Sequence, residues 1–246
     1  MTFSEDTVFV NAQAVKYQQR PEWCFSTVGL SKKETEEVRI LATKLGAKFL
    51  PSWCSSVTHL IVKSGPNGWV ERSEDYLKAL VLGLWVVTSD WVSLALTSPI
   101  YIPVIPDYEA LDAETKGKPG AQRTRKIRFQ ELANGGSRLL SNVEVCLVGE
   151  LMSIDLSLFT YLVEESGGRL VSKPALLTSH PGRAFLVVDS PYHAERHRTE
   201  LMAAMAATGA LPVIVDYIVD SICAAEMLPV EGICKNISLN TFKWSC

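Results

Sequence analysis

Trp23-Cys24-Phe25-Ser26-Thr27-Val28-Gly29-Leu30-Ser31-Lys32-Lys33-Glu34 decides the fold, because its pattern returns 120 residues later in Glu144-Val145-Cys146-Leu147-Val148-Gly149. In each copy a short apolar run ends on glycine and a helix follows. Ser31 and Glu34 form a capping box, in which hydroxyl and carboxylate satisfy the first helical amides. Val38, Leu41 and Leu45 then recur at helical spacing, and Gly46 stops the helix. Residues 47–50 and 59–62 read as strands, 72–82 as a helix, 84–88 as a strand and 91–96 as a last helix. The second half repeats this β-α-β-β-α-β-α order. Its strands are 144–149, 169–171, 184–189 and 212–215, and its helices 156–166, 194–208 and 217–225. Gly167-Gly168 and Gly209 stop the first two of those helices. The strands are short, apolar and unalternating, as in a parallel sheet covered by helices on both faces. The repeat is too long for a solenoid, so the chain reads as an internal duplication.

Composition agrees. Of 246 residues 47% are hydrophobic and 21% charged, which excludes a disordered chain. No apolar run approaches the roughly 18 residues of a membrane span, and residues 1–6 lack the features of a signal peptide. The net charge of -3 argues against nucleic acid as the main ligand. Cys24, Cys54, Cys146, Cys223, Cys234 and Cys246 form no Cys-x-x-Cys pair, and the four histidines supply no partners, so no metal or other cofactor is expected. Cys24 and Cys146 lie in strand-like runs and read as buried free thiols of a reducing compartment.

The organisation read from these signals is a tail at 1–20, a first repeat at 21–102, a linker at 103–142 and a second repeat at 143–240. Pro103, Pro106, Gly117, Pro119, Gly120, Gly135 and Gly136 give the linker its composition. Its basic cluster, Arg123, Arg125, Lys126 and Arg128, reads either as solvated linker or as an import or phosphate-contacting patch. An enzyme finds little support: there is no dinucleotide fingerprint, phosphate loop, nucleophile elbow or His-Glu-x-x-His. His59 reads as a structural histidine, and His193 and His197 as a solvated helix start without a third ligand. Trp53, Trp69 and Trp244 fall outside the helical stripes and read either as local packing or as a binding surface.

Gly29, Gly46-Ala47, Thr58-His59-Leu60-Ile61-Val62 and Trp85-Val86-Val87-Thr88-Ser89-Asp90-Trp91 together resemble the BRCT repeat. Asp107-Tyr108-Glu109 opening a basic linker adds to the likeness, and Tyr217 stands where the second repeat would carry its closing tryptophan. The resemblance covers residues 23–230. It implies an α/β fold of two BRCT repeats, each a four-stranded parallel sheet flanked by helices, the two packed head to tail. It also implies a monomeric, nuclear interaction module of a DNA-damage-response protein. Its partner would be a protein or phosphoprotein peptide, classically phosphoserine followed three residues later by an aromatic. The chain reads as a C-terminal piece of a larger protein, and any ubiquitin-ligase activity of that parent would reside elsewhere.

Carried over residue by residue, the resemblance departs at the phosphate. The family uses a Ser/Thr-Gly pair at the end of the first strand and a lysine on the second helix. Gly29 stands at the glycine, but Val28 replaces the hydroxyl and Asp75 replaces the lysine. A carboxylate about 6 Å from a phosphate dianion repels it by roughly 1–6 kcal/mol, depending on the local dielectric. Thr27, by a one-residue slip, and Lys78, one turn on, are the possible substitutes. The aromatic slot between the repeats would use Leu77, Ile154 and Val219, with Arg72 on the peptide main chain. The expectation is a groove that accepts an apolar anchor with a disabled phosphate site. The alternatives are a phosphate-independent or purely structural tandem scaffold and, remotely, an α/β enzyme.

Overall fold

The computed structural model describes residues 23–97, 108–178 and 182–230. The 1–20 tail, Pro103, Pro106, Asp107, Cys234, Trp244 and Cys246 lie outside the described residues. The chain divides into two compact units at Lys126/Ile127.

In the first unit β1 (Cys24–Val28), α1 (Lys32–Leu45), β2 (Lys48–Phe49), β3 (His59–Val62), β4 (Trp69–Val70), α2 (Glu74–Val81), β5 (Trp85–Thr88) and α3 (Ser89–Thr97) follow in order. The main sheet is wholly parallel, ordered β2-β1-β3-β5. Every residue of β3 and β5 is buried, which explains why neither strand alternates. Ser31 Oγ accepts from the Glu34 amide at 3.3 Å, and the Ser31 amide donates to Glu34 Oε2 at 2.8 Å, so the capping box forms. Gly46 closes α1 in the left-handed conformation. Phe25, Leu41, Ile61, Val87 and Trp91 fill the core, each large side chain contributing about 1.5–3 kcal/mol of burial.

His59 is part of that core. Its ring stacks at 11° on Trp85 and Trp91, centroids 6.3 and 6.1 Å away, and its Nδ1 lies 2.9 Å from Thr58 Oγ1. Burial, helped by the charge of Arg125, lowers its pKa to about 3.

The stretch read as linker is more structured than its composition suggests. β6 (Leu111–Asp112) pairs in parallel with β4, and α4 (Gly120–Asn134) is a full helix. The Ala110 amide donates to the Val86 carbonyl at 2.9 Å, and Glu109 bridges Val87, so this segment covers the outer edge of β5. Arg125 is buried, stacks 3.5 Å above the Trp85 ring and pairs with Glu109. Burial raises the pKa of Glu109, against the opposing pull of Arg125. Arg128 pairs with Glu131 and Glu165. Two members of the basic cluster are therefore internal ties, neither solvated nor a free cationic patch.

The second unit contains β7 (Glu144–Leu147), α5 (Leu156–Glu165), β8 (Arg169–Val171), a 3-10 turn (Pro174–Leu176), β9 (Ala184–Val188), α6 (Pro191–Arg196), α7 (Arg198–Thr208), β10 (Leu211–Ile214) and α8 (Val215–Ala224). Its parallel sheet is ordered β10-β9-β7-β8, the first unit's topology with β7 in the place of β1. Tyr217 is buried and its hydroxyl donates to the Leu228 carbonyl at 2.8 Å, so an aromatic does close the repeat. The helix expected over 194–208 is two helices meeting at His197, whose φ of -99° and ψ of 16° leave the helical region. Among the described residues, Cys24, Cys146 and Cys223 are buried free thiols and Cys54 is an exposed one. No helix among the described residues is long and apolar enough to cross a membrane.

Candidate functional site

Parallel strands deliver their carboxyl ends to one edge of the sheet, and the phosphate positions proposed from the sequence start there. The register pairs Thr27 with Ile61 and Val28 with Val62. Gly29 follows, exposed, with φ +72°, where any other residue is strained. Thr27 and Val28 are both half-buried, and as successive strand residues their side chains leave opposite faces of the sheet.

The cation that the structure places beside Gly29 is Lys63. A Cβ built on Gly29 would stand 3.4 Å from Lys63 Cβ, and the Lys63 amide donates to the Val28 carbonyl at 3.2 Å. Lys63 Nζ pairs with Glu34, the residue that also closes the capping box on Ser31. These bonds, Lys63 first, hold the Glu34 carboxyl at about 2, so it is ionised at neutral pH. Sequence reasoning missed Lys63 although the register held the clue: the residue after Val62 adjoins the residue after Val28.

Helix α2 packs on β3 and β5 and carries the remaining first-repeat positions. Ser73 caps it, its Oγ accepting from the Tyr76 amide at 3.2 Å. Asp75 is partly buried. Desolvation raises its pKa, Lys78 lowers it and Glu74 raises it further. Lys78 Nζ lies 2.5 Å from Glu74 Oε1 on its own helix. Leu77 is buried, at 6% exposure.

Just before α2, Arg72 sets its guanidinium fork on Asp112, with Nε 2.8 Å from Oδ1 and an Nη 2.9 Å from Oδ2. Asp112 is fully buried and also accepts the Thr115 amide at 2.8 Å. The two-residue pairing of β4 with β6 makes this contact possible, since Val70 is the register partner of Asp112. The main-chain contact inferred for Arg72 therefore competes with a buried bidentate ion pair.

In the second unit, Ile154 is half-buried in the loop before α5, and Val219 is buried on α8. The loop is held by Asp189 at the end of β9, whose Oδ1 accepts the Met152 and Ser153 amides, each at 2.8 Å, and the Ser153 hydroxyl at 2.7 Å. Gly149 repeats Gly29 with φ +81°, and the His197 ring packs against it so closely that a Cβ would lie 2.7 Å from Nε2. His193 meets Asp189 and Ser190, and His197 meets Glu200. Among the described residues no three potential ligands converge as a metal site. Trp69 belongs to β4 and is half-buried, as is Trp53.

Comparison with known proteins follows the same lines. Residues 20–93 match the sequence profile of the BRCA1 C Terminus (BRCT) domain. Protein BREAST CANCER SUSCEPTIBILITY 1 homolog of Arabidopsis thaliana is 29% identical over 77 residues, 31% of this chain and 8% of that protein. The Arabidopsis BRCA1-associated RING domain protein 1 is 25% identical over 101 residues, 41% of this chain and 14% of that protein. The chain thus matches only a small part of either relative. Among solved structures, the BRCT5-BRCT6 domains of S. pombe Brc1 superpose with a TM-score of 0.52 at 18% identity, covering 83% of this chain and 93% of that one. Rtt107p, in its complex with a phosphorylated histone, gives 0.53 at 11% identity, covering 91% and 97%. The chain carries a BRCT domain in its first unit and has, over both units, the fold of a tandem BRCT pair.

Proposed function

We propose that this chain is the peptide-binding module of a nuclear DNA-damage-response protein, and that it reads an apolar anchor more strongly than a phosphate. The structural relative Rtt107p is described in complex with a phosphorylated histone, which supports peptide binding as the task of the fold. One observation carries the weak-phosphate part: the lysine position of α2 holds Asp75, and the two candidate substitutes, Lys78 on the same helix and Lys63 beside Gly29, are paired with Glu74 and Glu34. Gly29 retains its amide, yet Val28 before it has no hydroxyl to donate. A charge-assisted hydrogen bond contributes about 1.5–3 kcal/mol, so losing even one lowers affinity by roughly 10- to 100-fold. The anchor residues in this reading are Leu77 in the first unit with Ile154 and Val219 in the second, and the motif is Ser-x-x-Phe.

Reversing the charge tests the proposal. Asp75→Lys should turn near-indifference to phosphate into a preference of tenfold or more for a phosphorylated Ser-x-x-Phe peptide over its unphosphorylated twin, measured by fluorescence anisotropy. An unchanged ratio in a folded variant would show that the phosphate position lies elsewhere.

A further inference from the structure

A polar concavity opens in the second unit at the end of the sheet opposite Gly149. It is a cavity of about 650 Å³ lined by Asn142, Val143, Glu144, Gly167, Arg169, Thr178 and Arg183. The topology gathers these residues. Glu144 begins β7, Arg169 begins β8 and Arg183 immediately precedes β9, so three neighbouring strand starts converge on one rim. The Glu144 amide donates to the Arg183 carbonyl at 2.8 Å, and the Arg169 amide to the Val143 carbonyl at 2.9 Å, which fixes both arginines to the sheet.

The charges in this cavity are unequal. The Glu144 side chain is nearly buried, pairs with Arg169 and accepts the Thr178 amide at 2.6 Å. Those contacts, Arg169 first, hold its pKa at about 2, so the pair is fully ionised and mutually neutralised at physiological pH. Arg183 is exposed, and no ion pair of its guanidinium is found among the described residues. Among the described residues the lining therefore carries one net positive charge, with Asn142 as a neutral donor beside it. Asn142 is exposed in the left-handed conformation, φ +65°, and the Thr178 side chain, like its amide, is engaged with Glu144.

We propose that this cavity binds a small oxyanion, a phosphate monoester or a carboxylate, on Arg183, with Asn142 as a supplementary donor. A guanidinium presents a planar fork that meets two oxygens of such a group at once. Arg169 does not compete for the ligand because Glu144 occupies it. The site is independent of the phosphate positions proposed above, since it sits at the amino ends of the strands and in the other unit.

Amide chemical-shift titration of the full chain with inorganic phosphate, O-phosphoserine, acetate and glutamate tests this directly. Saturable shifts at Asn142, Gly167 and Thr178 are expected, and Arg183→Ala should weaken them tenfold or more. Asn142→Gly, which suits the left-handed backbone and so preserves the fold, should weaken them severalfold. Binding of phosphate and O-phosphoserine alone identifies a phosphate monoester site, and binding of acetate and glutamate alone a carboxylate site. The absence of saturable shifts at these residues, or affinities unchanged in both variants, would overturn the proposal.

Discussion

At the scale of single residues, protonation separates the groups that hold the fold. His59 is neutral in the folded chain at about 3, below the roughly 6.5 of an unfolded histidine, so the unfolded chain gains the proton first. Its effect on stability is therefore absent above about pH 6.5 and grows unfavourable as pH falls toward 3. Urea unfolding of wild type should lose stability between pH 6.5 and 4.5, and His59→Gln should flatten that slope; equal slopes would contradict the assignment. Glu34 and Glu144 behave in the depressed-carboxyl sense, at about 2 against roughly 4.3 unfolded. Their contribution is complete above about pH 4.3 and is lost as pH falls from there toward 2. Glu34→Gln keeps an acceptor for the capping box but loses the Lys63 ion pair, so it should remove part of this acid transition at a cost of about 1 kcal/mol or less at neutral pH, read by thermal melting.

At the scale of elements, what could be read from the sequence depended on where the partner of each element lay. β3 and β5 announced themselves because four consecutive buried residues need covering on both faces. α4 did not: its buried residues are only Gly120, Ala121 and Arg125, which give no apolar stripe and leave a composition typical of a linker. β4 and β6 are two residues each and exist through a pairing some 40 positions apart that no local pattern encodes. The functional cost of missing them is Asp112, the buried partner of Arg72. Arg72→Ala leaves that carboxylate buried without its fork and should cost about 3 kcal/mol or more in urea unfolding. If Arg72 acts only through this pair, the double variant Arg72→Leu/Asp112→Leu should recover much of that stability and also bind peptide normally. Recovered stability with lost binding would instead place Arg72 on the peptide.

At the scale of the molecule, the duplication seen in two Val-Gly strand ends is repeated in two sheets of identical topology. The fold was legible because burial imposes periodicity along the chain. The site was legible only in part: Gly29 and Asp75 could be placed by motif, but Lys63 and Asp112 arrive through register and long-range pairing. That distinction bears on function, because the family's phosphate grip depends on a few side chains while its sheet depends on many. The central claim is a tandem BRCT module with a weakened phosphate site, and calorimetric titration of the wild-type chain with one Ser-x-x-Phe peptide in phosphorylated and unphosphorylated form tests it most directly. The account predicts that both forms bind with dissociation constants within about threefold of each other, a difference under about 0.7 kcal/mol. A preference of tenfold or more for the phosphorylated form would contradict it.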